Sequence, residues 1–110
     1  MNNLYILKPK GFIDSQNGSD LRVQICSLLA EKAMDFLIDF QEVEFMDSSG
    51  FGALVSALKR VREHGRQIFL CSLNSQLRLV LELTNMDRVF TIFPSSHECF
   101  TFVAERSAES

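Results

Sequence analysis

Apolar positions along the chain switch repeatedly between two spacings. Short continuous apolar pieces occur at Leu4–Leu7, Phe12-Ile13, Phe36-Leu37-Ile38 with Phe40, Ile68–Cys71 and Val89–Phe93. Between them lie stretches in which apolar side chains recur every three or four residues. The first pattern is that of strands covered on both faces, the second that of helices burying one stripe. One helical stripe is Leu21, Ile25, Leu28, Leu29 and Ala33. A second is Phe51, Leu54, Val55, Leu58 and Val61, with Lys59, Arg60, Arg62 and Glu63 lying outside it. A third is Leu77, Val80, Leu81 and Thr84, and a last one is Cys99, Phe102 and Val103.

The polar punctuation sets the boundaries. Lys8-Pro9-Lys10-Gly11 reads as a turn or an irregular edge between the first two apolar pieces. Asp14 to Asp20 is polar throughout and reads as a loop, with Ser19 or Asp20 as N-cap of the first helix. Gly65 ends the second helix, Asn74 or Ser75 opens the third, Pro94 stops the last strand, and Ser95 or Ser96 opens the final helix. Ser107–Ser110 is small and polar and is expected to fray. The order β, (β), α, β, α, β, α, β, α predicts an α/β domain. About four helices pack on a mixed, mostly parallel sheet of four to five strands. One domain is expected over residues 1–106, with the tail at 107–110.

Composition narrows the function. At 110 residues, 46% apolar and 23% charged, the chain can bury enough surface to fold. The net charge of −3 argues against nucleic acid as the main partner. No apolar run reaches the roughly 20 residues of a membrane helix, and Met1–Tyr5 lacks the basic start of a signal peptide. A cytoplasmic protein with no membrane partner is expected. Cys26, Cys71 and Cys99 are odd in number, far apart and in apolar stretches, so they read as buried thiols and not as metal ligands. No metal or cofactor is expected.

Enzymatic chemistry finds little support. His64 and His97 both read as solvated surface residues, and the G-x-S-x-G, G-x-x-x-x-G-K-[ST] and G-x-G-x-x-G strings are absent. Lys59-Arg60-Val61-Arg62 with Arg66 reads as a solvated helix face. The segment that stands out is Phe45-Met46-Asp47-Ser48-Ser49-Gly50-Phe51-Gly52, which follows a strand-like run and opens a helix. Ligands and partners gather at that end of parallel sheets, and a helix N-terminus accepts the roughly −1.5 to −2 charge of a phosphate. Gly50 and Gly52 remove side chains where another backbone could approach. The plainer reading is that Asp47 and Ser48 only cap the helix. Asp14 could cap a turn, or flank the 47–52 segment if its strand lies beside Phe36–Phe40.

At Phe45–Gly52 the sequence resembles the STAS family (sulfate transporter and anti-sigma factor antagonist domains), and more narrowly the bacterial anti-sigma factor antagonists. Gly11-Phe12-Ile13-Asp14 is similar to the family's G-x-[LIV]-D segment. The Phe36–Asp39 strand, Met46–Gly52, the Gly65-to-Cys71 passage and the Leu77–Met86 region follow in the family's order, covering residues 4 to 103. The resemblance implies a STAS fold and a phosphorylation-governed partner switch, in a non-enzymatic protein that is monomeric when free. The unphosphorylated antagonist binds an anti-sigma factor that is also a serine/threonine kinase. Phosphorylation at Ser48 ends the complex, and a PP2C-type phosphatase resets it. ATP and Mg²⁺ would belong to the kinase. The resemblance also implies a docking surface of Asp14, Asp47, Ser49, Gly50, Phe51 and Gly52. The alternative is a STAS-like scaffold subunit of a sensory or transport-associated complex, acting without phosphorylation.

Two departures stand out. Phe51 replaces the family's usual aliphatic residue and, on the Leu54/Leu58 stripe, should pack inward. The family generally carries an extra N-terminal strand before the segment matching Leu4–Asp14; the thirteen residues before Asp14 leave little room for it, so a shortened sheet edge, or one blunted by Lys8-Pro9, is expected.

Overall fold

A computed structural model describes residues 4–109, with side chains through Arg106; Met1–Asn3 and Ser110 lie outside the described residues. The elements are β1 (Leu4–Leu7), β2 (Lys10–Ile13), α1 (Ser15–Glu31), β3 (Asp35–Asp39), β4 (Glu42–Met46), α2 (Ser48–Glu63), β5 (Ile68–Cys71), α3 (Ser75–Leu83), a 3₁₀ turn (Met86–Arg88), β6 (Thr91–Phe93) and α4 (Ser96–Glu109). Strands β1-β3-β5-β6 form one sheet in that order and β2-β4 a second, short one. Every pairing among the described residues is parallel.

The two sheets are successive parts of one bent ribbon. Leu7 lies opposite Ile38 at the end of the first ladder, and Lys10 opposite Glu42 at the start of the second. The bends fall at Lys8-Pro9 on one chain and at Phe40-Gln41 on the other, where Val43 N donates to Phe40 O at 3.0 Å in a tight turn. A register shift between Gly11 and Phe12 leaves Phe12 opposite Phe45 and Ile13 opposite Met46.

One face of the main sheet carries most of the core. Phe36, Ile38, Ile68 and Leu70 meet Ile25 and Leu29 of α1, Leu54, Ala57, Leu58 and Val61 of α2, and Leu77 and Leu81 of α3. The other face, Leu37, Phe69 and Cys71, is covered by Cys99 and Val103 of α4. Helix α2 follows its predicted stripe, capped by Asp47 and stopped before Gly65, whose φ is 72°.

Several boundaries differ from the sequence reading. Helix α1 begins at Ser15 with Asp14 as its cap, so Ser19 and Asp20 lie inside the helix and not before it. Strand β4 is separate from β3, a turn at Phe40-Gln41 dividing what reads as one strand-like passage. Strand β6 spans only Thr91–Phe93, because Val89 and Phe90 close the 3₁₀ turn onto Met86 O. The segment from Leu4 to Ile13 supplies β1 and β2, and the expected lack of a further strand before Leu4 falls on Met1–Asn3, outside the described residues. Helix α4 runs to Glu109, and the end of the expected tail, Ser110, lies outside the described residues. Cys71 and Cys99 are buried, but Cys26 is only half-buried on α1.

Candidate functional site

The parallel β2-β4 ladder delivers two helices side by side. Its last pair, Ile13 and Met46, is followed on each chain by an aspartate that caps a helix. Asp14 Oδ1 accepts from Asn17 N at 2.9 Å, and Asp47 Oδ1 accepts from Gly50 N at 2.8 Å. The two caps are joined by Asp47 N donating to Ile13 O at 3.1 Å. Asp14 therefore does both things the sequence left open: it caps, and it flanks the 47–52 segment. Its neighbour is β4 and not the Phe36–Phe40 strand.

The helices then touch at their first turns. A side chain on Gly50 would run into the Ile13 carbonyl oxygen, with the carbonyl carbon and Ile13 Cγ2 each 2.8 Å from the added carbon. One on Gly18 would sit 3.0 Å from both Ala53 Cβ and Gly50 Cα. These two positions accept only glycine without backbone retreat, because each helix passes over the other's start. The result is two N-termini aimed the same way, whose unpaired N–H groups sum to a region favourable to negative charge.

The outer edge of β4 is closed by side chains of α3. Gln76 Oε1 accepts from Met46 N at 3.1 Å and Gln76 Nε2 donates to Met46 O at 3.0 Å, which imitates a further strand. Asn74 Nδ2 donates to Val43 O and Glu44 O at 3.1 Å, while Asn74 Oδ1 caps α3 through Leu77 N at 2.9 Å. The chain entering Asp47 is thus held on both sides.

Of the residues singled out in the sequence, Asp14, Ser48, Ser49 and Gly52 are exposed and Asp47 is half-buried. Ser48 occupies the first position of α2. Gly50 and Phe51 are buried. Gly50 makes its close approach to Ile13, and Phe51 fills the core on the α2 stripe, as its position there required. Gly52 has nothing within 4 Å of a would-be side chain. The basic run is less uniform than expected. Arg66 leaves it to pair with buried Asp35 at 3.2 Å, and Arg62 Nη2 donates to Val89 O at 2.7 Å. His64, at the C-cap of α2, and His97, in the first turn of α4, are both exposed and lie far apart in the sequence. No group of three His, Cys, Asp or Glu side chains among the described residues is placed to hold a metal, and no described helix is long and apolar enough to cross a membrane. Sequence reasoning missed the Gln76 clamp, which joins residues thirty positions apart, and the exposed Phe12–Phe45 pair.

A family model of the STAS domain matches residues 1–99, and the chain belongs to that family. The anti-sigma-B factor antagonist of Bacillus subtilis is 30% identical over 86 residues, which span 78% of each chain. A crystal structure of a Thermotoga maritima protein assigned as an anti-sigma factor antagonist superposes with a TM-score of 0.85 at 25% identity, covering 94% of this chain and 90% of the other. The antagonist SpoIIAA in its unphosphorylated form shares the fold, with a TM-score of 0.75 at 17% identity over 94% of this chain and 92% of its own. The Bacillus SpoIIAA in its phosphorylated form does so too, with a TM-score of 0.72 at 16% identity over 93% of each.

Proposed function

We propose that this chain is an anti-sigma factor antagonist switched by phosphorylation of Ser48. The observation that carries the reading is an exposed serine at the first position of α2, directly after the capping Asp47, in a STAS domain whose relatives are named as antagonists. Unphosphorylated, the protein binds an anti-sigma factor that is also a serine kinase, and the sigma factor is released in the cytoplasm. The role is regulatory, and the chemistry belongs to the partner. The kinase holds ATP and Mg²⁺ and draws the proton from Ser48 Oγ as that oxygen bonds to the γ-phosphorus and ADP leaves.

The phosphoserine carries roughly −1.5 to −2 charge in the middle of a packed interface, where desolvation and like charge end the complex. The fold itself is spared, since two helix N-termini lie at that place. A PP2C-type phosphatase then restores the hydroxyl. Asp14, Ser49 and Gly52, with the half-buried Asp47, form the docking edge, and Gly50 and Phe51 support it from beneath.

The test is intact mass of the protein from its native cells, before and after Ser/Thr phosphatase, with the modified peptide sequenced. One phosphatase-sensitive phosphate on Ser48 is expected. Ser48→Asp should fold normally and lose the anti-sigma factor, whereas Ser48→Ala should bind it and stay bound with ATP present. Equal affinities of the two variants, or no phosphate under any growth condition, would refute the switch.

A further inference from the structure

Phe12 and Phe45 steady the short ladder as a cross-strand pair, yet leave much of both rings exposed. They are register partners in the β2-β4 ladder, with ring centroids 5.8 Å apart at 56°. Their chain neighbours Ile13 and Met46 enter the core, and the two rings face outward, 59% and 43% exposed. The ladder's backbone hydrogen bonds do not need an aromatic on the solvent face, where a threonine or lysine would serve. Neighbouring exposed rings offer a partner an apolar, aromatic anchor point.

The place of the pair says what covers it. Phe45 lies three residues before Ser48, so their Cα atoms are at most about 11 Å apart. Phe12 lies two residues before the Asp14 cap. An interface of about 800 Å² per partner is a disc of roughly 16 Å radius. A kinase whose active site closes on Ser48 therefore reaches across both rings. Of the exposed charges along the ladder, Asp14 beyond Phe12 and Glu42 and Glu44 on β4 are acidic, while Lys10, opposite Glu42, is basic, which leaves a net negative charge around the rings.

We propose that the Phe12–Phe45 pair is a specificity-determining docking surface for the serine kinase that acts at Ser48. It takes an apolar side chain of the kinase flanked by basic residues, which meet Asp14, Glu42 and Glu44. This rests on the switch reading above.

The experiment uses the full-length protein and each recombinant anti-sigma factor kinase encoded by the source organism, with ATP and Mg²⁺, scoring phosphate on Ser48 by mass. KM and kcat are measured for the wild type, Phe12→Ser, Phe45→Thr and Phe100→Ser. Phe100 is an exposed phenylalanine on α4, on the sheet face away from α2, and serves as control. Thermal unfolding confirms that each variant is folded, and Phe45→Thr retains strand preference. Each β-ladder variant is expected to raise KM about tenfold with kcat nearly unchanged, as for loss of an apolar anchor. Phe100→Ser should match the wild type, and added salt should raise the wild-type KM. Unchanged KM in both ladder variants, on a kinase that does modify Ser48, overturns the docking surface alone. If no kinase modifies Ser48, the switch reading falls and this surface falls with it.

Discussion

Gly50→Ala tests the geometry that brings the two helix starts together. The added carbon would stand 2.8 Å from the Ile13 carbonyl carbon. Ordinary carbon contact begins near 3.5 Å, so the first turn of α2 must retreat by at least ~0.7 Å, and further to clear the nearer Ile13 carbonyl oxygen. Overpacking of this kind costs about 1–3 kcal/mol. The retreat also stretches the 3.1 Å bond from Asp47 N to Ile13 O, the loss of which costs about 1 kcal/mol. Against this, alanine improves helix propensity by about 1 kcal/mol. The net expectation is a loss of about 2 kcal/mol, or roughly 10 °C in Tm for a domain of this size. Gly52→Ala, two residues later with open space around it, should gain the propensity alone, about 0.5–1 kcal/mol. Urea unfolding of both variants beside the wild type reads the difference directly. If Gly50→Ala is as stable as Gly52→Ala, the close approach described here is wrong.

Other expectations follow from single residues. Asp47→Ala removes the bond to Gly50 N and should cost about 1 kcal/mol by chemical unfolding, most of it restored by Asp47→Asn, which still caps. Gln76→Ala unfastens β4's outer edge, and amide exchange at Met46 should accelerate before that of core residues such as Ile38. Burial pushes the Cys99 thiol up to about 11 and raises Cys71 as well. Both are protonated in the fold, whereas the unfolded chain loses those protons near pH 9. Stability should therefore fall as pH rises from 9 towards 11, by about 2 kcal/mol for Cys99. Cys99→Ala should flatten that slope in pH-dependent denaturation curves, and an unchanged slope would count against the burial argument.

The parts of the fold that were legible in the sequence are those where burial writes a periodic pattern. Helix α2 combines an unbroken stripe from Phe51 to Val61 with a capping aspartate and a terminal glycine, so both its ends and its face could be read. The first turn of α1 could not. Ser15–Asp20 carries no apolar side chain, and its one buried residue, Gly18, packs by having nothing to show. Strand β4 exposes Glu42, Glu44 and Phe45 and buries only Val43 and Met46, too sparse a pattern to separate it from β3. At the site, Asp47, Ser48 and the glycines were visible because capping is local chemistry. The Asn74 and Gln76 clamps and the Phe12–Phe45 pair depend on which strands become neighbours, and no short window of sequence contains that.

The strand order β1-β3-β5-β6 also bears on how the chain is made. Each new strand joins the sheet at its growing edge and none is inserted between two earlier ones, so the sheet can assemble in the direction of synthesis. The cover of its second face comes last: Leu37, Phe69 and Cys71 wait for Cys99 and Val103. A nascent or truncated chain that ends before α4 carries a finished parallel sheet with one oily side bare. Such a species is prone to associate, and the final helix decides whether the product of translation stays in solution.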